Sequence, residues 1–231
     1  MDTLTTVLFV APVLLYSVIA HEYAHGFAAL RQGDPTAKEL GRLTWNPVKH
    51  IDPFLTILMP LVMGYMSGWQ IILGGAKPVP VNPMNYRNLR RGDIIVSLAG
   101  VATNLVLAFA CTLLIAVFGL VGQFVPALGT TVGVLQVAMI FGVGINLILI
   151  AFNLIPIPPL DGSHVMKYLM PASWAVRYQQ AGRFGFIILI VMLVYGRGFL
   201  EMWLRPALSL RLMLLQSVDG FFHASVGGWF R

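Results

Sequence analysis

Long apolar runs without charge limit what this chain can fold into more than any other feature. Ile94 to Leu120 and Val132 to Ile155 contain no Asp, Glu, Lys or Arg. A third run, Thr6 to Leu30, carries one charged side chain, Glu22. About 20 apolar helical residues cross the ~30 Å hydrocarbon core of a bilayer. No water is present there, so backbone N–H and C=O groups must find partners within the chain. These runs therefore predict membrane-crossing helices. The composition agrees. Of 231 residues, 58% are hydrophobic and 10% charged, and the mean hydropathy is +0.80. Soluble domains carry about 25% charged residues. The expected fold class is an all-α polytopic membrane protein of about four to six membrane segments. Residues 1–231 are read as one membrane domain, with a core at about 7–168 and C-terminal membrane or interfacial helices at about 172–231.

The net charge of +6 does not point to nucleic acid, because no Lys/Arg run exceeds two residues. The basic residues sit between apolar spans, where the positive-inside rule and anionic lipid headgroups account for them. Arg31, Lys38, Arg42 and Lys49 place the loop after the first span in the cytoplasm. Lys77, Arg87, Arg90 and Arg91 do the same beyond Phe54 to Leu73. A segment with basic groups on both sides favours a hairpin or re-entrant element that returns to the side it left. Pro60, Gly64 and Gly68 suit non-helical backbone buried in protein or facing a wet chamber. The uncharged loop 121–131 fits the outer face. Phe184 to Tyr195 is too short to cross alone. Phe199 to Arg231 is read as a further span or an interfacial helix. A cleavable signal peptide is not expected, since no Lys or Arg precedes Arg31. The lone Cys111 excludes a thiolate cluster and an internal disulfide.

The first run contains His21-Glu22-Tyr23-Ala24-His25. On a helix, His21 and His25 project from one face, a spacing that suits two ligands of one tetrahedral zinc. Glu22 stands beside them as a general base for a metal-activated water. Five letters with three fixed also occur by chance. Ionisable groups at membrane depth are costly, however, and mark function. Catalytic zinc usually takes three protein ligands. His50, Asp52, Asp161 and His164 are the candidates for the third. Asp161 is the best placed, because Pro156, Pro158 and Pro159 break the preceding helix and let a carboxylate turn back. Asp161-Gly162 is also a common turn pair, and His164 is the fallback ligand.

Together, HEYAH in an early span and Asn153-Leu154-Ile155-Pro156-Ile157-Pro158-Pro159-Leu160-Asp161-Gly162 at the end of a later one resemble the site-2 protease family of intramembrane zinc metalloproteases. The Gly74-Gly75-Ala76-Lys77-Pro78-Val79-Pro80-Val81-Asn82-Pro83 stretch and Leu98-Ala99-Gly100 are similar to bacterial and archaeal members. The chain departs from many of these at Gly100-Val101, where they have Gly-Pro. No stretch is long enough for a PDZ or CBS domain. The resemblance implies one Zn2+ per chain on His21, His25 and Asp161, with Glu22 as base. It implies that Asn153, and with it Asn104, handles the substrate backbone or an oxyanion. It assigns Gly75, Lys77, Pro78, Val79 and Pro80 to a strand region beside the substrate, a membrane protein cut within its span. The active site is expected nearer the cytoplasmic face of the cell membrane. A zinc transporter or sensor without proteolysis is the alternative, and it would have no need of Glu22.

Overall fold

The computed structural model describes residues 3–66, 75–224 and 226. Nine α-helices occur among them. They are α1 (Thr3–Gln32), α2 (Thr36–Glu39), α3 (Met59–Met66), α4 (Leu89–Phe124), α5 (Gly129–Asn153), α6 (Asp161–Met166), α7 (Ala172–Ala181), α8 (Gly185–Tyr195) and α9 (Arg197–Ser217). No β-strand is present among the described residues. Among the described residues, four stretches are long and apolar enough to cross a membrane: Thr6–Gln32, Leu89–Phe124, Pro126–Asn153 and Ala172–Tyr195. The protein is an all-α, multi-pass membrane protein. The fourth stretch joins α7 and α8 through a short 3-10 turn, Gly182–Phe184, so the short run Phe184 to Tyr195 does borrow from its N-terminal flank. The returning half of the proposed hairpin, residues 67–73, lies outside the described residues. Its first half is a π-helical turn, Pro53–Leu58, that leads into α3.

Two compact units divide the chain, residues 18–100 and residues 1–17 with 101–231. In the first, α1 ends where Gly33 takes φ +110°. Gly33 N–H then donates to Leu30 C=O, and Asp34 N–H to Ala29 C=O. This closure satisfies the last carbonyls of the helix, and it needs a residue without a Cβ. Ala29, Tyr86 and Val96 form a small core here. Residues 75–82 run beside it without regular secondary structure.

In the second unit, α5 is the centre. Val137, Ile140, Val143 and Leu147 join Ala108, Ile115 and Val218 in its largest core. Small residues allow close packing, as at Gly142, where an added Cβ would lie 2.6 Å from Cys111 Sγ. Asn146 Nδ2 donates to Ser17 Oγ at 3.0 Å, a buried polar link between two spans. Helix α9 packs along α5. Trp203 Nε1 donates to Ala151 C=O at 2.7 Å, Arg211 packs on Gly144, and Phe221 C=O accepts from Gln136 Nε2 at 2.9 Å. The segment therefore runs antiparallel to α5 from Ala151 to Gln136, about 22 Å at 1.5 Å per residue.

Candidate active site

The middle of α1 is packed tightly. Ile19 and Ala20 are buried, and His21 is 5% exposed. One turn later, His25 places its Nε2 3.0 Å from His21 Nε2, with the two rings edge to face. His25 Nδ1 lies 2.7 Å from Val96 C=O. A carbonyl only accepts, so Nδ1 carries the proton and Nε2 keeps its lone pair. Such a bond on the far nitrogen orients metal-binding histidines. Two nitrogens at ~2.05 Å from one tetrahedral zinc stand about 3.3 Å apart. The observed pair is near that separation, so tautomer and spacing both fit zinc.

Gly100 makes the fit possible. A Cβ there would lie 2.5 Å from His21 Cε1 and 2.6 Å from Nε2 of both histidines. The bare backbone of α4 thus forms one wall of the nitrogen pair. The sequence pointed to Leu98-Ala99-Gly100 only as a point of likeness; the steric reason requires the packed helices.

Glu22 Oε2 accepts the Val79 N–H at 2.8 Å. This bond orients the carboxylate and leaves its second oxygen for another partner. It also fixes residues 75–82 beside Glu22. Val79 seats there because residue 26 is glycine: an added Cβ would meet Val79 Cγ1 at 2.8 Å. Other contacts hold the same segment. Gly75 C=O accepts from Thr56 Oγ1, Lys77 N–H donates to His50 C=O, and Arg42 Nη2 donates to the carbonyls of Lys77 and Pro78. At its far end sits Asp34, which has no exposed surface. Its carboxylate accepts from Asn82 N–H, Asn85 Nδ2, Thr36 N–H and Thr36 Oγ1. Burial raises the Asp34 pKa, but these bonds outweigh it and hold the carboxyl below its ordinary 3.8. Nothing in the sequence singled out Asp34 except its place just after a helix-ending glycine.

His50 is fully buried and donates from Nε2 to Thr44 C=O at 2.9 Å. With its backbone carbonyl on Lys77, it braces the loop. Asp52 N–H donates to Thr56 Oγ1 at 2.9 Å. In the other unit, Asp161 is the first residue of α6, and His164 lies on the same short helix. Gly162 is helical and not a turn residue; a Cβ there would collide with Leu154 C=O, so the Asp-Gly pair reflects close packing on the end of α5. Asn153 ends α5 and donates one amide hydrogen to Leu149 C=O at 3.0 Å. Asn104 has no exposed surface, and neither atom of its amide has a hydrogen-bond partner among the described residues.

The model of peptidase family M50 matches residues 9–140 and 119–195, most of the chain. The chain belongs to peptidase family M50. Relatives of this M50 peptidase include YwhC of Bacillus subtilis, named as a zinc metalloprotease. It is 40% identical over 190 residues, 82% of each chain. Rip2 of Mycolicibacterium smegmatis, named likewise, is 32% identical over 192 residues, 81% of this chain and 68% of its own. MJ0611 of Methanocaldococcus jannaschii is 40% identical over 81 residues, 35% and 36% of the two chains. No solved structure matches. The protein is a zinc metalloprotease of the membrane.

Proposed function

We propose that this peptidase cuts membrane-protein substrates within their membrane-spanning segments, using one zinc held by His21, His25 and Asp161. The observation that carries the reading is the Glu22–Val79 hydrogen bond beside the histidine pair, which sets a base and an open peptide edge next to two ligand nitrogens. A carboxylate such as that of Asp161 added to two imidazole nitrogens is a donor set that suits catalytic zinc. Bound there, zinc supplies Lewis-acid chemistry, polarising a carbonyl oxygen and acidifying water.

The chain's own groups do the rest. Glu22 takes a proton from the attacking water through its second oxygen and returns it to the leaving amine. Asn153 keeps one amide hydrogen free, and it donates to the carbonyl oxygen as negative charge develops there. One such donor is worth about 3 kcal/mol. A substrate helix hides its carbonyls, so it must unwind before attack. Val79 C=O and Val81 N–H have no internal hydrogen bond among the described residues and serve as the edge that the extended substrate joins. Gly75, Lys77, Pro78 and Pro80 shape that edge, and Asn104 turns its unpaired amide to the substrate backbone. Positive-inside charge puts the site nearer the cytoplasmic face of the cell membrane.

The test is Glu22→Gln, compared with the native protein for zinc content and for cleavage of a single-span substrate in detergent. The variant should keep zinc and lose cleavage. Retained cleavage would remove Glu22 from the mechanism, and zinc transport by both proteins in vesicles would replace the protease reading.

A further inference from the structure

A second feature lies apart from the histidine pair. Arg211 of α9 packs on Gly144, and an added Cβ at Gly144 would sit 3.1 Å from its Nε. Gly144 is three residues from the middle of α5, so the guanidinium lies about 5 Å from the centre of that span. Its Nε is buried, and Arg211 has no hydrogen-bond or ion-pair partner among the described residues. An arginine at this depth is costly and is normally paired with a charge or a carbonyl. The carboxylates described in the same unit are displaced along the chain. Glu201 is about 15 Å earlier on α9, Asp161 follows the end of α5, and Asp219 lies past the end of α9 in a separate 3-10 turn and makes no ion pair with Arg211 among the described residues.

Arg211 also lines a groove of about 380 Å³ with Ile140, Leu212, Leu215 and Phe222, and Asp219 is part of the same lining. Leu212 is 58% exposed there. Apart from Arg211, Gln216 and Asp219 the groove is apolar, and Arg211 is its one cation. We propose that it receives a membrane-spanning helix carrying an aspartate or glutamate in the middle of its apolar span, whose carboxylate pairs with Arg211. Depth favours a helix over a lipid: headgroup phosphates lie about 15 Å from the bilayer centre, roughly 10 Å from this guanidinium. A second copy of this chain would bring its own Arg211 and no carboxylate at that level. The proposal concerns binding and does not depend on proteolysis.

The test places a photo-crosslinking residue at Leu212 in the full chain, reconstituted in phosphatidylcholine vesicles. Single-span polyleucine peptides with a central Asp, Asn or Leu are offered in turn. The Asp peptide should crosslink about tenfold more than the Leu peptide, the ratio that one interhelical polar contact gives. Arg211→Leu should erase the preference, and Arg211→Lys should retain part of it. Equal yields for the three peptides would refute the proposal on the native protein alone, whatever the variants do. Loss of the Asp preference on adding phosphatidylglycerol would assign the cation to a lipid headgroup and refute the helix as occupant.

Discussion

Replacing Gly100 by alanine tests whether the metal-site geometry is built by helix packing. The new Cβ would stand 2.5–2.6 Å from ring atoms of His21 and His25, where ordinary contact begins at 3.4 Å. The rings or α4 must give by about 0.9 Å, whereas metal–ligand distances hold to about 0.2 Å. The rings cannot swing freely, because Val96 C=O fixes His25 and burial fixes His21. Overpacking of this kind costs about 1–3 kcal/mol. Zinc affinity should fall about 10- to 100-fold, the loss typical when the support of a metal-binding histidine is disturbed. Zinc competition against a chelator measures this, with thermal stability followed in parallel. Gly198→Ala is the control, since nothing lies within 4 Å of a Cβ there. Native zinc affinity in Gly100→Ala would refute the reasoning and remove α4 as a wall of the site.

Two further substitutions probe the supports. Asp34→Asn should cost about 2–3 kcal/mol, because buried donors lose a charged acceptor, and cleavage should fall more than zinc content because residues 79–82 lose their anchor; equal falls in both would make Asp34 a stability residue only. Its carboxyl is held below 3.8 in the fold, so its stabilisation is present above that pH and disappears as acid carries the pH through the folded value; denaturation curves of native and Asp34→Asn protein should converge in acid. Gln136 has no exposed surface, donates to Ile115 and Phe221 carbonyls and accepts the His223 N–H. Gln136→Leu should therefore destabilise by about 2–3 kcal/mol and speed protease cleavage around Asp219 to His223, and an unchanged digestion pattern would count against its role as the anchor.

Legibility in the sequence followed the range of each interaction. The crossing helices could be read because each is a local property of one apolar run. Thr6 to Leu30, Ile94 to Leu120 and Val132 to Ile155 appear as α1, α4 and α5, the first two extended by two to five residues at each end and the third shifted by two or three. The histidine pair was also legible, since four residues on a helix fix their shared face. Asp34, Gly26 and Gly100 were not. Each acts on groups 45 or more residues away in the chain or on a neighbouring helix, through contacts that no local pattern encodes. His50 has the chemistry of a ligand, yet its Nε2 bonds the Thr44 carbonyl and its own carbonyl holds Lys77, contacts visible only in the fold.

Helix α9 packs on a membrane span without being apolar enough to be one by composition. Arg197, Glu201, Arg205 and Arg211 lower its average apolarity, so by composition it falls outside the four candidate spans. Its partners nevertheless carry it along α5 from Ala151 to Gln136. Three of those charges fall within the first three turns, where long side chains can reach the headgroup region. Arg211 cannot do so from mid-span, and this is why it alone needs a partner at depth. If Arg211→Leu made α9 more stable in vesicles and left acidic-peptide capture untouched, the charge would be incidental. Conservation of capture only when a cation occupies position 211 would establish that α9 keeps this cost for recognition.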